Sequence, residues 1–180
     1  MLVLTQRNGH VVSVLLNRPE AANAFNADQA RAFGQAISDA VASGARAIVI
    51  AGEGKGFSAG LDLKAFASGD LGMHPDHPEW GFAGFVRQPV PVPVIASVHG
   101  FAAGGGAEVA LTADLVIADE DAVFSFPETG YGLVAGAGGP LRLTQASSLR
   151  VALDVLLTGR RIDAHEAQRH GLVTKVAAHG

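Results

Sequence analysis

Short hydrophobic runs, each followed by a stretch rich in glycine, are the main pattern in the middle of the chain. Three of them, Ala47–Ala51, Val94–Val98 and Leu115–Ala118, have the length of one strand and almost no polar residue. Such runs are typical of strands buried in a parallel sheet. The order of strand, glycine-rich turn and helix recurs around these runs, which predicts stacked β-β-α turns whose ligand-facing loops lie on one side.

The N-terminal segment predicts a β-hairpin. Its strands are expected at Leu2–Thr5 and His10–Leu16, joined by the turn Arg7-Asn8-Gly9. The Asn-Gly pair between two hydrophobic runs is a strong hairpin signal. One more short strand is expected near the other end of the chain, at Leu172–Val176.

Four segments have the spacing of amphipathic helices. The first begins after the N-cap Asn26, which Gln29 follows three residues later, and ends at Gly44. Its core-facing residues are Phe33, Ile37, Ala40 and Val41. The other helices are expected at Ala107–Thr112, at Leu149–Leu157 after Ser147 or Ser148 and before Gly159, and at Ala164–His170 between Asp163 and Gly171.

The segment Gly69–Val86 has no regular period and is predicted to be a mobile loop with a short helix near a pocket. It carries the aromatic residues Trp80, Phe82 and Phe85, which are candidates for a pocket wall. Prolines alternate with valines in Pro89–Pro93, which suits an extended lead-in to the strand that follows.

Length and composition limit the class of protein. The 180 residues predict a single domain, 1–180, with a sizeable core. Hydrophobic residues make up 48 % and charged residues 17 %, below the usual ~25 %, which indicates extensive burial and a possible subunit interface. The net charge of −4 and the lack of a basic run argue against a nucleic-acid partner.

The sequence also bears on reactivity and location. Without cysteine the chain has no disulfide and no thiol nucleophile. No hydrophobic run approaches the ~18 residues of a membrane span, and the first ten residues lack the hydrophobic core of a signal peptide. The expectation is a soluble, cytoplasmic protein without a membrane partner.

Candidate chemistry lies after the second hydrophobic run. Three consecutive glycines, 104–106, leave the backbone bare at a predicted helix start, where free N–H groups favour an oxyanion. The helix dipole is expected to keep Glu108 ionised, whereas hydrophobic neighbours favour a protonated Glu128. Two carboxyl groups shifted in opposite directions suit acid–base chemistry on a carbonyl compound. The alternative is a tight turn with two surface glutamates.

Two other motifs compete for the function. Gly56-Phe57-Ser58-Ala59-Gly60 matches the G-x-S-x-G elbow of serine hydrolases, with Asp163 and His165 as possible partners. Residues 53–56 nevertheless separate this motif from its strand, so the sharp strand-to-helix turn of an elbow is not expected. The sequence His74-Pro75-Asp76-His77 could be half of a metal site, but with no third ligand nearby a solvated loop is favoured and no metal is expected.

Five stretches together resemble one family, the crotonase or enoyl-CoA hydratase/isomerase superfamily. They cover nearly the whole chain: NRPEAANAF, GKGFSAGLDL, PVIASVHGFAAGGGAEVALTADLVIA, FSFPETGYGLVAGAGGPLRL and LTGRRIDAHEAQRHGLV. The resemblance implies an α/β fold, a β-β-α superhelix of the ClpP/crotonase type that binds an acyl-CoA thioester. Family members usually carry a further C-terminal helical part, which has no counterpart among these 180 residues.

The resemblance also implies roles for individual residues. Glu108 and Glu128 match the two catalytic glutamates of the family, and the N–H groups of Leu61 and Gly105 match its oxyanion hole. The substrate-binding positions implied are Ala22, Ala59, Leu61, Asp62, Leu63, Lys64 and Gly105. No metal or redox cofactor is implied, because coenzyme A arrives as part of the substrate.

The expected function is therefore that of an enoyl-CoA hydratase, a lyase of fatty acid metabolism. One alternative keeps the fold and changes the reaction, to an enoyl-CoA isomerase or another acyl-CoA dehydratase. Another changes the class, to a non-catalytic acyl-CoA-binding or assembly subunit. The resemblance also implies a homotrimer or hexamer when the C-terminal region is present.

Overall fold

The computed structural model describes residues 1–178, so the last two residues of the expected domain lie outside the described part. A six-stranded sheet and a three-stranded sheet organise it. The strands are β1 Val3–Asn8, β2 Val11–Leu16, β3 Ala47–Gly52, β4 Val94–Val98, β5 Phe101–Ala103, β6 Leu115–Asp119, β7 Val123–Ser125, β8 Arg161–Asp163 and β9 Lys175–Ala177. The helices are α1 Ala27–Ala42, α2 Leu63–Phe66, α3 Gly105–Ala110, α4 Gly139–Ala146, α5 Leu149–Thr158 and α6 Ala164–Arg169.

The larger sheet has the order β1-β2-β3-β4-β6-β9. Only β1 and β2 are antiparallel, and every later neighbour is parallel. The predicted hairpin is confirmed, but its turn is shifted. Asn8 pairs with Val11, so the turn residues are Gly9 and His10, with Gly9 at φ +59°. Arg7 and Asn8 extend the first strand because each finds a partner residue on β2.

The three hydrophobic runs are parallel strands, as predicted. Alternate residues of these strands are fully buried, among them Ile50 of β3, Ala96 of β4 and Ala118 of β6. The predicted strand at Leu172–Val176 is wrong in its start. Leu172 and Val173 are buried outside the sheet, and β9 begins at Lys175, where pairing with β6 becomes possible.

The smaller sheet is the main feature that the sequence did not predict. Its order is β5-β7-β8, with β5 and β7 parallel and β7 and β8 antiparallel. A glycine-rich turn was expected between the second hydrophobic run and the helix that follows it, but Phe101–Ala103 forms β5 there. Each strand is only three residues long and depends on a partner distant in sequence, so local pattern carries little signal. The successions β4-β5-α3 and β6-β7 give the β-β-α turns of the expected superhelix.

Most helix signals are confirmed by their caps. The Asn26 side chain accepts a hydrogen bond from the Gln29 N–H, Ser148 from Val151, and Asp163 from Glu166. The second predicted helix, Ala107–Thr112, begins at Gly105 rather than Ala107 and ends at Ala110. Helix α4 was not predicted, and its first two residues, Gly139 and Pro140, give little helix signal.

The segment Gly69–Val86 is irregular, as expected, apart from a 3-10 turn at Pro78–Trp80. Its path is fixed by packing rather than by regular structure. Phe85 is buried against Phe33 of α1, with ring centroids 5.5 Å apart. Among residues 1–178, no helix has both the length and the hydrophobic character needed to cross a bilayer.

Candidate active site

A cleft of about 850 Å³ lies where the loop after β3, the start of α3, the segment 71–87 and the segment 127–137 come together. Both predicted glutamates and both predicted N–H donors line it. The further predicted substrate-binding residues Ala59, Asp62, Leu63 and Lys64 line it as well. Ala22 does not, because its carbonyl oxygen is turned to the Ala59 N–H, 2.9 Å away.

The Leu61 N–H is free because the chain around it is held from both sides. Phe25 donates from its N–H to the Gly60 carbonyl at 2.7 Å and accepts from the Asp62 N–H at 3.0 Å. Gly60 takes φ +87°, which only glycine adopts readily, and with this backbone the Leu61 N–H points away from Phe25. Across residues 1–178 the Leu61 N–H has no acceptor, so it is available to a ligand.

Asp62 fixes the rest of this loop. Its carboxylate accepts from the Lys64 and Ala65 N–H groups and so caps α2, and it pairs with Arg18 at 2.7 Å. The hydrogen bond from Arg18 holds the pKa of Asp62 below its usual value. Asp62 therefore supports the loop that carries Leu61, and the ion pair stands at one end of the cleft.

Asn23 is a positioning residue that the sequence reading did not single out. It is fully buried, and its Nδ2 lies 2.8–3.1 Å from the carbonyl oxygens of Glu53, Gly56 and Phe57. Its Oδ1 accepts from the Arg18 N–H at 2.9 Å. One side chain thus joins the N-terminal loop to the glycine-rich loop. Only the presence of an asparagine in a predicted loop, where this residue commonly hydrogen-bonds to nearby backbone, could have suggested this role.

Ser58 does not have the environment of a nucleophile. Its hydroxyl donates to the Asn23 carbonyl at 2.9 Å and accepts from the Gly60 N–H at 3.1 Å, and its side chain is fully buried. In the described part of the chain these are its only side-chain hydrogen bonds. Asp163 is occupied as the cap of α6, in hydrogen-bond contact with the Glu166 N–H. The structure therefore contradicts a serine-hydrolase elbow.

The second free N–H belongs to Gly105. The preceding residue, Gly104, takes φ +50° and ψ −126°, and its N–H is bound to the Ser125 carbonyl at 2.9 Å. No acceptor within the described chain meets the Gly105 N–H. A Cβ atom on Gly60 would lie 2.7 Å from this nitrogen, so the loop with Leu61 and the turn with Gly105 are in direct contact. The two donors line the same part of the cleft.

Among residues 1–178, only one oxygen atom of the Glu108 carboxyl group accepts hydrogen bonds. Its residue is 2 % exposed, and Oε1 accepts from the Ala137 N–H at 2.8 Å and the Gly139 N–H at 2.7 Å. No donor in residues 1–178 reaches Oε2, which leaves it to the cleft. Burial raises the pKa of Glu108, and the two hydrogen bonds and the Arg142 charge only partly oppose this. The helix dipole was expected to favour the ionised form, but burial shifts the pKa of Glu108 the other way.

Glu128 lies in the 3-10 turn Pro127–Tyr131. A Cβ atom on Gly104 would lie 3.0 Å from Glu128 Oε1, and Oε2 is buried without a hydrogen-bond partner among the described residues. Burial raises the pKa of Glu128, and the negative charge of Glu108 raises it further. The pKa values of both carboxyl groups are thus shifted upward, contrary to the opposite shifts expected.

The aromatic segment contributes one ring to the cleft instead of three. Phe82 lines it, whereas Phe85 lies in the core and Trp80 stacks on His77, with ring centroids 4.0 Å apart. Other lining residues had no sequence signal: Leu71, Met73, Val86, Arg87, Leu133, Val134 and Ala137. They come from irregular segments whose position depends on tertiary packing.

A solvated loop was expected at His74-Pro75-Asp76-His77, but His74 is buried and its ring accepts hydrogen bonds from the backbone. His74 Nδ1 accepts from the Asp76 N–H at 3.1 Å and the His77 N–H at 3.0 Å. Residues 1–178 contain no group of three or more His, Cys, Asp or Glu side chains placed to hold a metal ion.

Comparison with known proteins places this fold and cleft in a family. The family described as enoyl-CoA hydratase/isomerase matches residues 6–180. A protein named probable enoyl-CoA hydratase from Rhizobium meliloti (strain 1021) is 42 % identical over 180 residues, which are 98 % of this chain and 68 % of that protein. The chain therefore belongs to the enoyl-CoA hydratase/isomerase family, as the resemblance predicted.

Solved structures of similar proteins support the fold assignment. EchA1_1 from Mycobacterium paratuberculosis has a TM-score of 0.95 and 46 % identity, over 99 % of this chain and 70 % of the other. A carnitinyl-CoA dehydratase from Mycobacterium avium 104 has a TM-score of 0.95 and 46 % identity, over 99 % and 71 %. The α/β fold of the crotonase type is confirmed, and the chain spans about 70 % of the length of these neighbours.

Proposed function

We propose that this protein is an enoyl-CoA hydratase, which adds water across the C2–C3 double bond of a 2-enoyl-CoA thioester. One observation carries the proposal. Two free N–H groups, of Leu61 and Gly105, the buried carboxyl group of Glu108 and the half-buried carboxyl group of Glu128 line one cleft. Relatives named as enoyl-CoA hydratases support the assignment.

The thioester oxygen would accept hydrogen bonds from the Leu61 and Gly105 N–H groups. When a nucleophile attacks C3, negative charge moves through C2 to this oxygen, and donors fixed in advance stabilise it. Neither donor has to be freed from a protein acceptor before the ligand binds. Asp62 and Asn23 act as positioning residues, because they hold the loops and not the substrate.

Glu108 would orient the water molecule and take its proton, and Glu128 would deliver a proton to C2. Glu108 Oε1 is fixed by two N–H groups, so Oε2 is the atom for the water. A raised pKa makes the Glu108 carboxylate a stronger base and keeps Glu128 readily protonated. The reaction needs an ionised Glu108 and a protonated Glu128, and the negative charge of Glu108 favours the protonated form of Glu128.

A second reaction on the same site is favoured by the similarity to a carnitinyl-CoA dehydratase. Dehydration of a 3-hydroxyacyl-CoA is the reverse of hydration and uses the same four groups, with Glu108 as the acid and Glu128 as the base. An enoyl-CoA isomerase would need only Glu128, moving a proton between two carbons. No resident cofactor is needed for any of these reactions, since coenzyme A belongs to the substrate.

We also propose a homotrimer or hexamer in the cytoplasm, with a role in fatty acid metabolism. Leu149, Leu153 and Leu157 lie one helical turn apart on α5 and are all exposed, which favours a covered face in an assembly. Light scattering tests the assembly, and a monomer at micromolar concentration would contradict it.

The central experiment incubates the purified protein with crotonyl-CoA and follows the product by mass spectrometry. The expected product is 3-hydroxybutyryl-CoA, formed until equilibrium is reached from either direction. Turnover of 3-enoyl-CoA without hydration would identify an isomerase. Binding of crotonyl-CoA without any turnover would identify the non-catalytic acyl-CoA-binding subunit and end the hydratase proposal.

A further inference from the structure

The ring of Phe82 lies against Gly105, which carries one of the free N–H groups, and near the side chain of Leu61, which carries the other. A Cβ atom on Gly105 would lie 2.5 Å from Phe82 Cε1 and 2.6 Å from Cζ, so the ring fills the space beside the Gly105 backbone. A Cβ atom on Gly72 would lie 2.8 Å from Phe82 Cε2 and 3.2 Å from Leu61 Cδ1. Phe82 and the Leu61 side chain are therefore neighbours across Gly72.

The ring is held in this position. Phe25, whose backbone brackets Leu61, meets Phe82 edge to face with centroids 5.5 Å apart and ring planes at 66°. Behind Phe25 stands Phe33, at 5.7 Å. The backbone next to Phe82 is tied by the bond from the Ala83 N–H to the Gly72 carbonyl, at 2.8 Å. Moving the ring would disturb a packed aromatic group, so it acts as a fixed wall.

The remaining face of the ring is open to the cleft. Phe82 is half-buried and lines the cleft, whereas Phe25 behind it is fully buried. If the thioester oxygen binds at the two N–H groups, the carbonyl carbon is one bond away and C2 is the next acyl atom. A substituent on C2 then has to share the space beside Gly105 with the ring of Phe82.

We propose that Phe82 is a specificity-determining residue that admits acyl groups unbranched at C2 and rejects those with a methyl group there. The inference rests on the proposed binding of the thioester, and it narrows the substrate class to acyl-CoA thioesters that carry no carbon branch at C2. One methyl group in a hydrophobic pocket typically changes discrimination by ~10–200-fold, which sets the scale expected here.

The test uses binding of saturated thioesters, so that it does not depend on turnover. Calorimetry compares butyryl-CoA with 2-methylbutyryl-CoA, which differ by one methyl group at C2. The wild type is expected to bind butyryl-CoA at least about tenfold more tightly. Phe82→Ala should remove most of this preference, and Phe82→Leu, which disturbs the core less, should reduce it.

Phe85→Leu is the matched control, because Phe85 belongs to the same aromatic group but does not line the cleft. It should lower stability and leave the ratio of the two affinities unchanged. An unchanged ratio in both Phe82 variants, a wild type that binds the two thioesters equally, or a wild type that binds neither would overturn the inference. If the wild type prefers butyryl-CoA to 2-methylbutyryl-CoA but does not hydrate crotonyl-CoA, the hydratase proposal is wrong and the role of Phe82 still holds.

Discussion

The Ser58 hydroxyl donates a hydrogen bond to the backbone carbonyl of Asn23 at 2.9 Å, inside the part of the molecule most shielded from water. Asn23 in turn binds the carbonyl oxygens of the loop that contains Ser58. The two residues thus lock the N-terminal loop and the glycine-rich loop to each other. The Asn23 side chain alone makes three of these contacts, so the loop that carries the Leu61 N–H stays tied down without the Ser58 hydroxyl.

Ser58→Ala should therefore lower the free energy of unfolding and have little effect on the rate of hydration. Removing the hydroxyl leaves the Asn23 carbonyl and the Gly60 N–H buried without a partner, at a cost of about 1–3 kcal/mol. Denaturant unfolding measures this loss, and crotonyl-CoA hydration per folded molecule should stay close to that of the wild type. Ser68→Ala is the control, since the Ser68 hydroxyl is bonded to Ala65 in an exposed turn. A covalent acyl adduct on Ser58 would contradict this account.

Sequence signals predicted the elements that depend on neighbours in the chain. The strand at Val94–Val98 and the caps Asn26, Ser148 and Asp163 follow from local pattern, and the structure confirms them. Strand β5 could not be found in the same way. Three residues among glycines become a strand only because Val123–Ser125 lies beside them.

The candidate site was predicted in part for the same reason. The glutamates and glycines belong to recognisable sequence motifs, whereas Phe82 and Asn23 are positioned by contacts between residues distant in sequence. The sign of the Glu108 shift could not be read from the sequence. It depends on how deeply α3 is buried, and burial outweighs the short helix that was expected to keep the carboxylate charged.

Replacing either glutamate by glutamine should cut hydration of crotonyl-CoA by about 10²–10⁴-fold, the usual scale for a positioned acid or base. Glutamine keeps the shape of each side chain and removes its proton chemistry, so the loss should appear mainly in kcat. Glu120→Gln, on an exposed turn residue, serves as the control. Wild-type turnover in Glu108→Gln or Glu128→Gln, with circular dichroism unchanged, would remove that residue from the mechanism.

Glu128→Gln should also make the protein more stable at neutral pH. Burial and the Glu108 charge raise the pKa of Glu128, so the folded state holds this proton more tightly than the unfolded chain does. The stability that this provides is complete below the unfolded pKa of ~4.3 and is lost as the pH rises through the folded value. A neutral side chain avoids the loss. At pH 7.5 the free energy of unfolding should be larger for Glu128→Gln than for the wild type. At pH 4 this difference should be smaller.

Because of His74, the free energy of unfolding should decrease as the pH is lowered below neutrality. It is 2 % exposed, and its Nδ1 accepts two N–H groups, so the proton is on Nε2, which has no partner within residues 1–178. Burial lowers the pKa of His74, and the charges of His77 and Arg31 add to this, while Asp76 and Glu79 oppose it. Protonating Nδ1 would break both hydrogen bonds and leave a charge in the interior.

The sign follows from proton binding. The folded pKa of His74 lies below the unfolded value of ~6.5, so between the two the unfolded chain binds more protons and stability rises with pH. The contribution is complete above pH ~6.5 and is lost as the pH falls through the folded value. His74→Asn keeps an acceptor near the Nδ1 position but does not titrate. Its free energy of unfolding should change less between pH 8 and pH 5.5 than that of the wild type, whereas the exposed His10→Asn should behave like the wild type. NMR titration of the His74 ring checks the cause directly, and an ordinary pKa near 6.5 for this ring would contradict it.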